Sequence, residues 1–186
     1  EQILFFFDSS DNIVNENLIK NFMNEVKPLE IQYFYQFQAT MEQIHAETYS
    51  LLIDKYISDK RRKDDAFHAI ERMPFIRKKA EWCFRWMNPQ TRTFAERLIA
   101  FACVEGIFFS GSFCAIFWMK KRGLLPALTL ANEFICRDEG FHYDFACQLY
   151  GHLRNKISHS RIQEIVAEAV SLEEEFITDS IKCDMI

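Results

Sequence analysis

The chain has 186 residues, of which 49% are apolar, and a net charge of −5 with acids and bases interspersed. That is enough for one core, and no basic face is present to attract a phosphate backbone or an anionic lipid surface, so nucleic acid is not an expected partner. Only five Gly and four Pro occur, too little turn punctuation for an all-β fold, and long helices are expected instead.

The opening "EQILFFFDSSDNIVNENL" sets apolar residues at helical spacing with no capping residue ahead of them, the pattern of a helix already under way. Asn15 or Asn17 is expected to cap a short helix to about Val26, and Pro28 to open a helix running to about Ile57. "SDKRRKDD" reads as a solvated connector. Two short helices follow, Ala66 to Arg72 and Phe75 to Met87, broken near Pro74 and Asn88-Pro89, with Trp82 and Trp86 four apart on one face. A long helix from about Thr93 to Lys121 stops at Gly123 and Pro126, a further helix runs from about Leu128 to Leu153, and Ile162 to Ser180 gives the last. No linker composition or low-complexity tract interrupts the chain. The expectation is one all-α bundle domain over residues 1–186, its helices joined by short loops.

The six cysteines, Cys83, Cys103, Cys114, Cys136, Cys147 and Cys183, stand singly, most of them in apolar helical surroundings, which fits a reducing, cytoplasmic setting. No signal-peptide pattern opens the chain. "AFACVEGIFFSGSFCAIFWM", residues 100–119, is nearly long and apolar enough to span a membrane, yet Glu105 lies inside it. An ionised carboxylate is costly in lipid, so a helix buried at the centre of a bundle is expected there, and no membrane.

Two short stretches carry chemistry. "MEQIHAETY" holds Glu42 and His45 three apart, and "RDEGFH" holds Glu139 and His142 at the same spacing. Residues three apart on a helix face the same way, so each pair is a two-toothed clamp for a metal ion. Two such clamps plus single acids on other helices make up a dimetal carboxylate centre, and carboxylate with imidazole suits iron and manganese. Glu105, set between Val104 and "GIFF", is a candidate for a single acid; the bland reading for each is an acid paired with a buried His or Arg. Tyr49, four after His45 and seven after Glu42, falls on the same stripe, either as a core tyrosine or as a phenol within reach of the metals. Asp138 could accept the free N–H of a ligating histidine. His68, His152 and His159, and the acids Glu47, Glu71, Glu81, Glu96 and 173–175, read as surface residues.

Taken together, "FYQFQATMEQIHAETYSLLIDKYI", "VEGIFFSGSF", "RDEGFH" and "SDNIVNENL" resemble the small, radical-generating subunit of class I ribonucleotide reductase, eukaryotic or viral in type. The resemblance implies a ferritin-like helical bundle with a dimetal carboxylate centre of two Fe ions, oxo-bridged, rather than a mixed Mn/Fe pair. It makes Glu42, His45, Glu105, Glu139 and His142 the metal ligands and Tyr49 the residue oxidised to a stable radical. Phe109, Phe113 and Ile135 match the apolar pocket around that radical, and Asp138 matches the carboxylate that joins a ligand histidine, His45, to the radical-transfer chain. The implied partners are a second copy of the chain and a large subunit that reduces ribonucleotides. The family's first ligand, an Asp, and its transfer Trp are expected on helices before residue 1, with Asp8 and Asp11 not standing in for that Asp and Asn12 in the place of a usual Gly; the C-terminal tail is likewise expected beyond Ile186. Two other readings serve the same residues: a ferritin-like di-iron oxidase or iron-binding protein without a radical, and a metal-free helical assembly module.

Overall fold

A computed structural model describes residues 1–181; Cys183 therefore lies outside the described residues. Every regular element among them is helical, and the chain divides into two compact units, one of residues 1–80 and one from Glu81 onward.

In the first unit, α1 (Gln2–Asn17) buries Leu4, Phe7, Asp11 and Val14, a stripe at alternating spacings of three and four that Leu18, just past the helix, continues. The expected cap at Asn15 or Asn17 does not form. Asn17 has helical backbone angles and caps nothing, and its side chain instead accepts a hydrogen bond from Asn21 Nδ2 at 2.8 Å. The helix continues through a π-helical segment, Leu18–Phe22, and a last turn, α2 (Met23–Glu25). Leu18 and Phe22 are fully buried in that segment, each contributing about 1.5–3 kcal/mol of burial, which outweighs what a single cap supplies. The chain turns at Val26, and α3 (Leu29–Tyr56) starts directly after Pro28. The "SDKRRKDD" stretch is solvated but helical. Asp59 caps α4 (Lys60–Phe67), accepting from Arg61 N at 2.7 Å, and α5 (Ala69–Arg72) follows. Lys79, at the end of this unit, places its ammonium 3.9 Å from the Phe6 ring centroid, a cation–π contact that offsets its burial.

The second unit takes up the end of α6 (Pro74–Trp86), then α7 (Phe94–Cys103), α8 (Ser110–Lys121), α9 (Pro126–His152) and α10 (His159–Ser180). Thr93 and Glu96 form a capping box at the start of α7, and Ser158 caps α10. α9 packs on α7 and α8, and α10 on α7 and α8. The expected single helix from Thr93 to Lys121 is widened in its middle by a second π-helical segment, Val104–Phe108. Its 18-residue apolar window has mean hydropathy 1.9, but 61% of it is buried inside the fold, as a core helix requires.

Two acids read from sequence as solvated are structural. Glu96 accepts from Arg161 Nε at 2.9 Å, and Glu173, buried on α10, accepts from Gly111 N at 2.9 Å. The helices touch there because Gly111 has no side chain: a Cβ would stand 2.6 Å from Glu173 Oε1 and collide with Ile177. Glu168 Oε2 accepts from both indoles, Trp82 and Trp86, at 2.9 Å, which ties the tryptophan face to α10.

Candidate metal centre

On α3 the buried stripe is Tyr35, Gln38, Glu42, His45, Tyr49 and Leu52, again at spacings of three and four. Glu42 is wholly buried and His45 nearly so, with His45 Nδ1 3.6 Å from Glu42 Oε2. The two side chains of the first expected clamp are thus buried beside each other on α3. Tyr49, 1% exposed, stacks on Phe7 of α1 with centroids 4.5 Å apart and planes 2° from parallel. The opposite side of α3 leaves Tyr33, Phe37, Ile44 and Leu51 exposed.

A second ring stack, Phe22 on Tyr35 at 5.6 Å, fixes α1 and α3 as antiparallel. With Phe7 facing Tyr49, the residue four further along α1 falls level with the residue four back along α3. Those residues are Asp11 and His45. Asp11 is 1% exposed, so a carboxylate that the sequence reading set aside occupies the buried stripe beside the first clamp. Asp8, three residues earlier, is only partly shielded, and burial raises its carboxyl above the usual carboxylate range. The signal for Asp11 was present in the chain: it interrupts an otherwise apolar series of Leu4, Phe7, Val14 and Leu18 at the position a core residue should take.

In the second unit Glu105 sits in the π-helical segment, while Glu139 and His142 lie on the buried stripe of α9 with Ile135 and Ala146. All three are at least 97% buried. Each offers a ligand atom within 4.8 Å of the others, and Glu139 Oε2 lies 2.9 Å from His142 Nδ1. A π turn inserts one residue into the helix and re-aims the side chains that follow; here it carries the acid. Phe109 and Phe113, just beyond it, are buried with centroids 6.0 Å apart, and Ile135 is buried on α9. Asp138 is largely covered, its Oδ1 3.6 Å from the Arg137 guanidinium. A cavity of about 870 Å³ reaches Glu105 and Glu139. Cys103 lines it, and burial, with Cys147 next, pushes that thiol up to about 12. Burial likewise raises Cys136, with the nearby Glu139 adding to the effect. His152 and His159 are exposed and His68 is partly exposed, as expected of surface histidines.

The whole of residues 1–186 matches the family described as ribonucleotide reductase, small chain. The chain belongs to the ribonucleotide reductase small-chain family. It is 54% identical over 184 residues to the ribonucleoside-diphosphate reductase small chain of Spisula solidissima, covering 99% of this chain and 48% of that protein. It is 57% identical over 184 residues to the small subunit of Dictyostelium discoideum, covering 99% and 54%, and 53% identical over 184 residues to subunit M2 of Homo sapiens, covering 99% and 47%. The solved structure of the Rnr4 homodimer from Saccharomyces cerevisiae superposes with a TM-score of 0.85 at 39% identity, over 94% of this chain and 55% of that one. The chain thus spans about half the length of the relatives it matches.

The donor set fits a metal ion. Two carboxylates within 4.8 Å of each other repel by no less than about 3.5 kcal/mol at an effective dielectric of 20, and a buried charge is tolerated when a counter-charge or metal is supplied. Oxygen-rich sites with imidazole suit first-row ions such as iron and manganese.

Proposed function

We propose that this protein acts as the radical-generating small subunit of ribonucleoside-diphosphate reductase, built on a dimetal centre of two iron ions, and that its two units work as one ferritin-like domain. The observation that carries the proposal is the convergence of Glu105, Glu139 and His142 in a buried cluster, together with membership in the small-chain family. In this reading Glu105, Glu139 and His142 hold one ion, and Glu42, His45 and Asp11 the other. Asp11 takes the place expected of an acid upstream of residue 1, because the α1–α3 register sets it level with His45.

Bound iron would supply the oxidising power, using O2 to take an electron and a proton from Tyr49. The chain's own residues make that transfer specific. Glu42 and His45, one clamp on one helix face, fix the ion one turn from the phenol. The Phe7 ring flat against Tyr49 shields one face of the phenol from water, and Phe109, Phe113 and Ile135, each buried, take the role of apolar radical pocket that their match to the family implies. By its match to the family, Asp138 takes the role of the carboxylate that links a ligand histidine to the path by which the radical reaches the large subunit. That subunit uses it to reduce ribonucleoside diphosphates. The setting is cytoplasmic, and the exposed stripe of Tyr33, Phe37, Ile44 and Leu51 on α3 suits burial against a second copy; the yeast neighbour is itself a homodimer.

The test is to add Fe(II) to metal-free protein, expose it to O2 and record electron paramagnetic resonance and bound iron together. About two Fe per chain and a tyrosyl signal are expected, with Tyr49→Phe keeping the iron and losing the stable signal. A ferritin-like store would oxidise iron without any tyrosyl signal, and a metal-free assembly module would take up none.

A further inference from the structure

Tyr143 is the feature of the second unit that the proposed function leaves unused. It follows His142 directly and Glu139 by four residues, so it stands on the same side of α9 as Glu139 and lines the same cavity. Its ring packs closely against Gly106: a Cβ there would be 2.6 Å from Tyr143 Cδ2 and 3.0 Å from Cε2. Gly106 is the residue after Glu105. The phenol is therefore one residue of chain away from two of the clustered groups and one helical turn from the third.

Its surroundings are the reverse of those of Tyr49. Tyr49 is 1% exposed and sealed by Phe7, whereas Tyr143 is 41% exposed and has the Cys147 thiol beside its hydroxyl. A phenol shut away from water and thiols preserves a radical once formed. A phenol open to both loses it quickly, which suits transit rather than storage.

Building on the dimetal reading, we propose that Tyr143 is a redox relay that feeds single electrons from a small thiol reductant in the cavity to the oxidised metal centre. The phenol gives one electron to the metals and its hydroxyl proton to water at the cavity mouth. The thiol then returns a hydrogen atom to the phenoxyl oxygen, breaking S–H and remaking O–H, and two thiyl radicals from two such events join as a disulfide. The cavity, of about 870 Å³ and lined largely by apolar side chains, admits an uncharged thiol of modest size.

The experiment loads the protein, Tyr143→Phe, Tyr49→Phe and the double variant with Fe(II), mixes each with O2, and follows freeze-quenched electron paramagnetic resonance with and without dithiothreitol. Phe at 143 keeps the ring on Gly106, so iron uptake should be unchanged. Tyr49→Phe should give a short-lived phenoxyl signal that decays at least tenfold faster with dithiothreitol, and the double variant should lack it. The same signal in the double variant, or iron oxidised in Tyr49→Phe with no phenoxyl at all, overturns the relay while leaving the dimetal centre standing. Failure of the unaltered protein to take up iron overturns both.

Discussion

Glu105→Gln should act in opposite directions with and without metal. The carboxylates of Glu105 and Glu139 offer oxygens within 4.8 Å of each other in a site at least 97% buried. At an effective dielectric of 20 two such charges repel by about 3.5 kcal/mol, and a neutral amide of the same shape removes that term while losing part of it again to its own desolvation. The metal-free variant is therefore expected to be more stable than the metal-free parent by about 1–3 kcal/mol, or roughly 2–12 °C at 2–4 °C per kcal/mol for a chain of this size. With Fe(II) the order should reverse, because binding to the folded state alone stabilises it by about 2.7 kcal/mol at a hundredfold excess over Kd, and the amide forfeits much of that. Thermal unfolding of both proteins, after chelation and after anaerobic Fe(II) addition, measures the four midpoints. A metal-free variant less stable than its parent, with an undiminished iron-induced rise, would sink the reasoning and assign Glu105 to an ordinary buried hydrogen-bond network.

Asp11→Asn should lower bound iron from about two to about one per chain, read by metal analysis after gel filtration; an unchanged stoichiometry would remove Asp11 from the ligand set. Gly111→Ala should cost about 1–3 kcal/mol in denaturant unfolding, since its Cβ would press on Glu173 Oε1 and Ile177, and a neutral result would mean that α10 can shift freely. For Glu96, burial works to raise the pKa, but hydrogen bonds from Thr93 and Arg161 outweigh it and hold the group below its ordinary 4.5. A depressed folded pKa stabilises above the unfolded value, and that stability drains away as pH falls through the folded one. Glu96→Gln should accordingly flatten the loss of stability below about pH 4.5 in urea unfolding at stepped pH; equal slopes for parent and variant would contradict it.

Much of this arrangement is legible in the chain because helical periodicity and burial agree. Glu42, His45 and Tyr49 share the stripe their spacing predicts, and Glu139 and His142 theirs. Helix stops at Gly123, with φ +69°, and before Pro126 also follow from local chemistry. What periodicity could not reveal is the widening of a helix by one residue. Neither Leu18–Phe22 nor Val104–Phe108 contains a Pro or a run of breakers; each is set by which side chains must reach the interior, a tertiary demand. The roles of Glu96 and Glu173 were hidden for a related reason: their partners, Arg161 and Gly111, lie 65 and 62 residues away.

Asp11 shows where a motif comparison and a physical reading part. By resemblance the first acid belonged upstream, and Asp11 fell in a stretch associated with something else. By packing it is a carboxylate in a series of core residues, 1% exposed and level with His45. Each of the helical stretches that carry the candidate ligands repeats this design: Phe7 and Val14 flank Asp11, Gln38 and Tyr49 flank Glu42 and His45, Phe101 and Phe108 flank Glu105, and Ile135 and Ala146 flank Glu139 and His142. Buried acids in such slots cost stability in a bare protein. Their recurrence at core spacing on separate helices is what the proposed cations would offset, and it selects candidate ligands better than the distance of any one acid from a known motif.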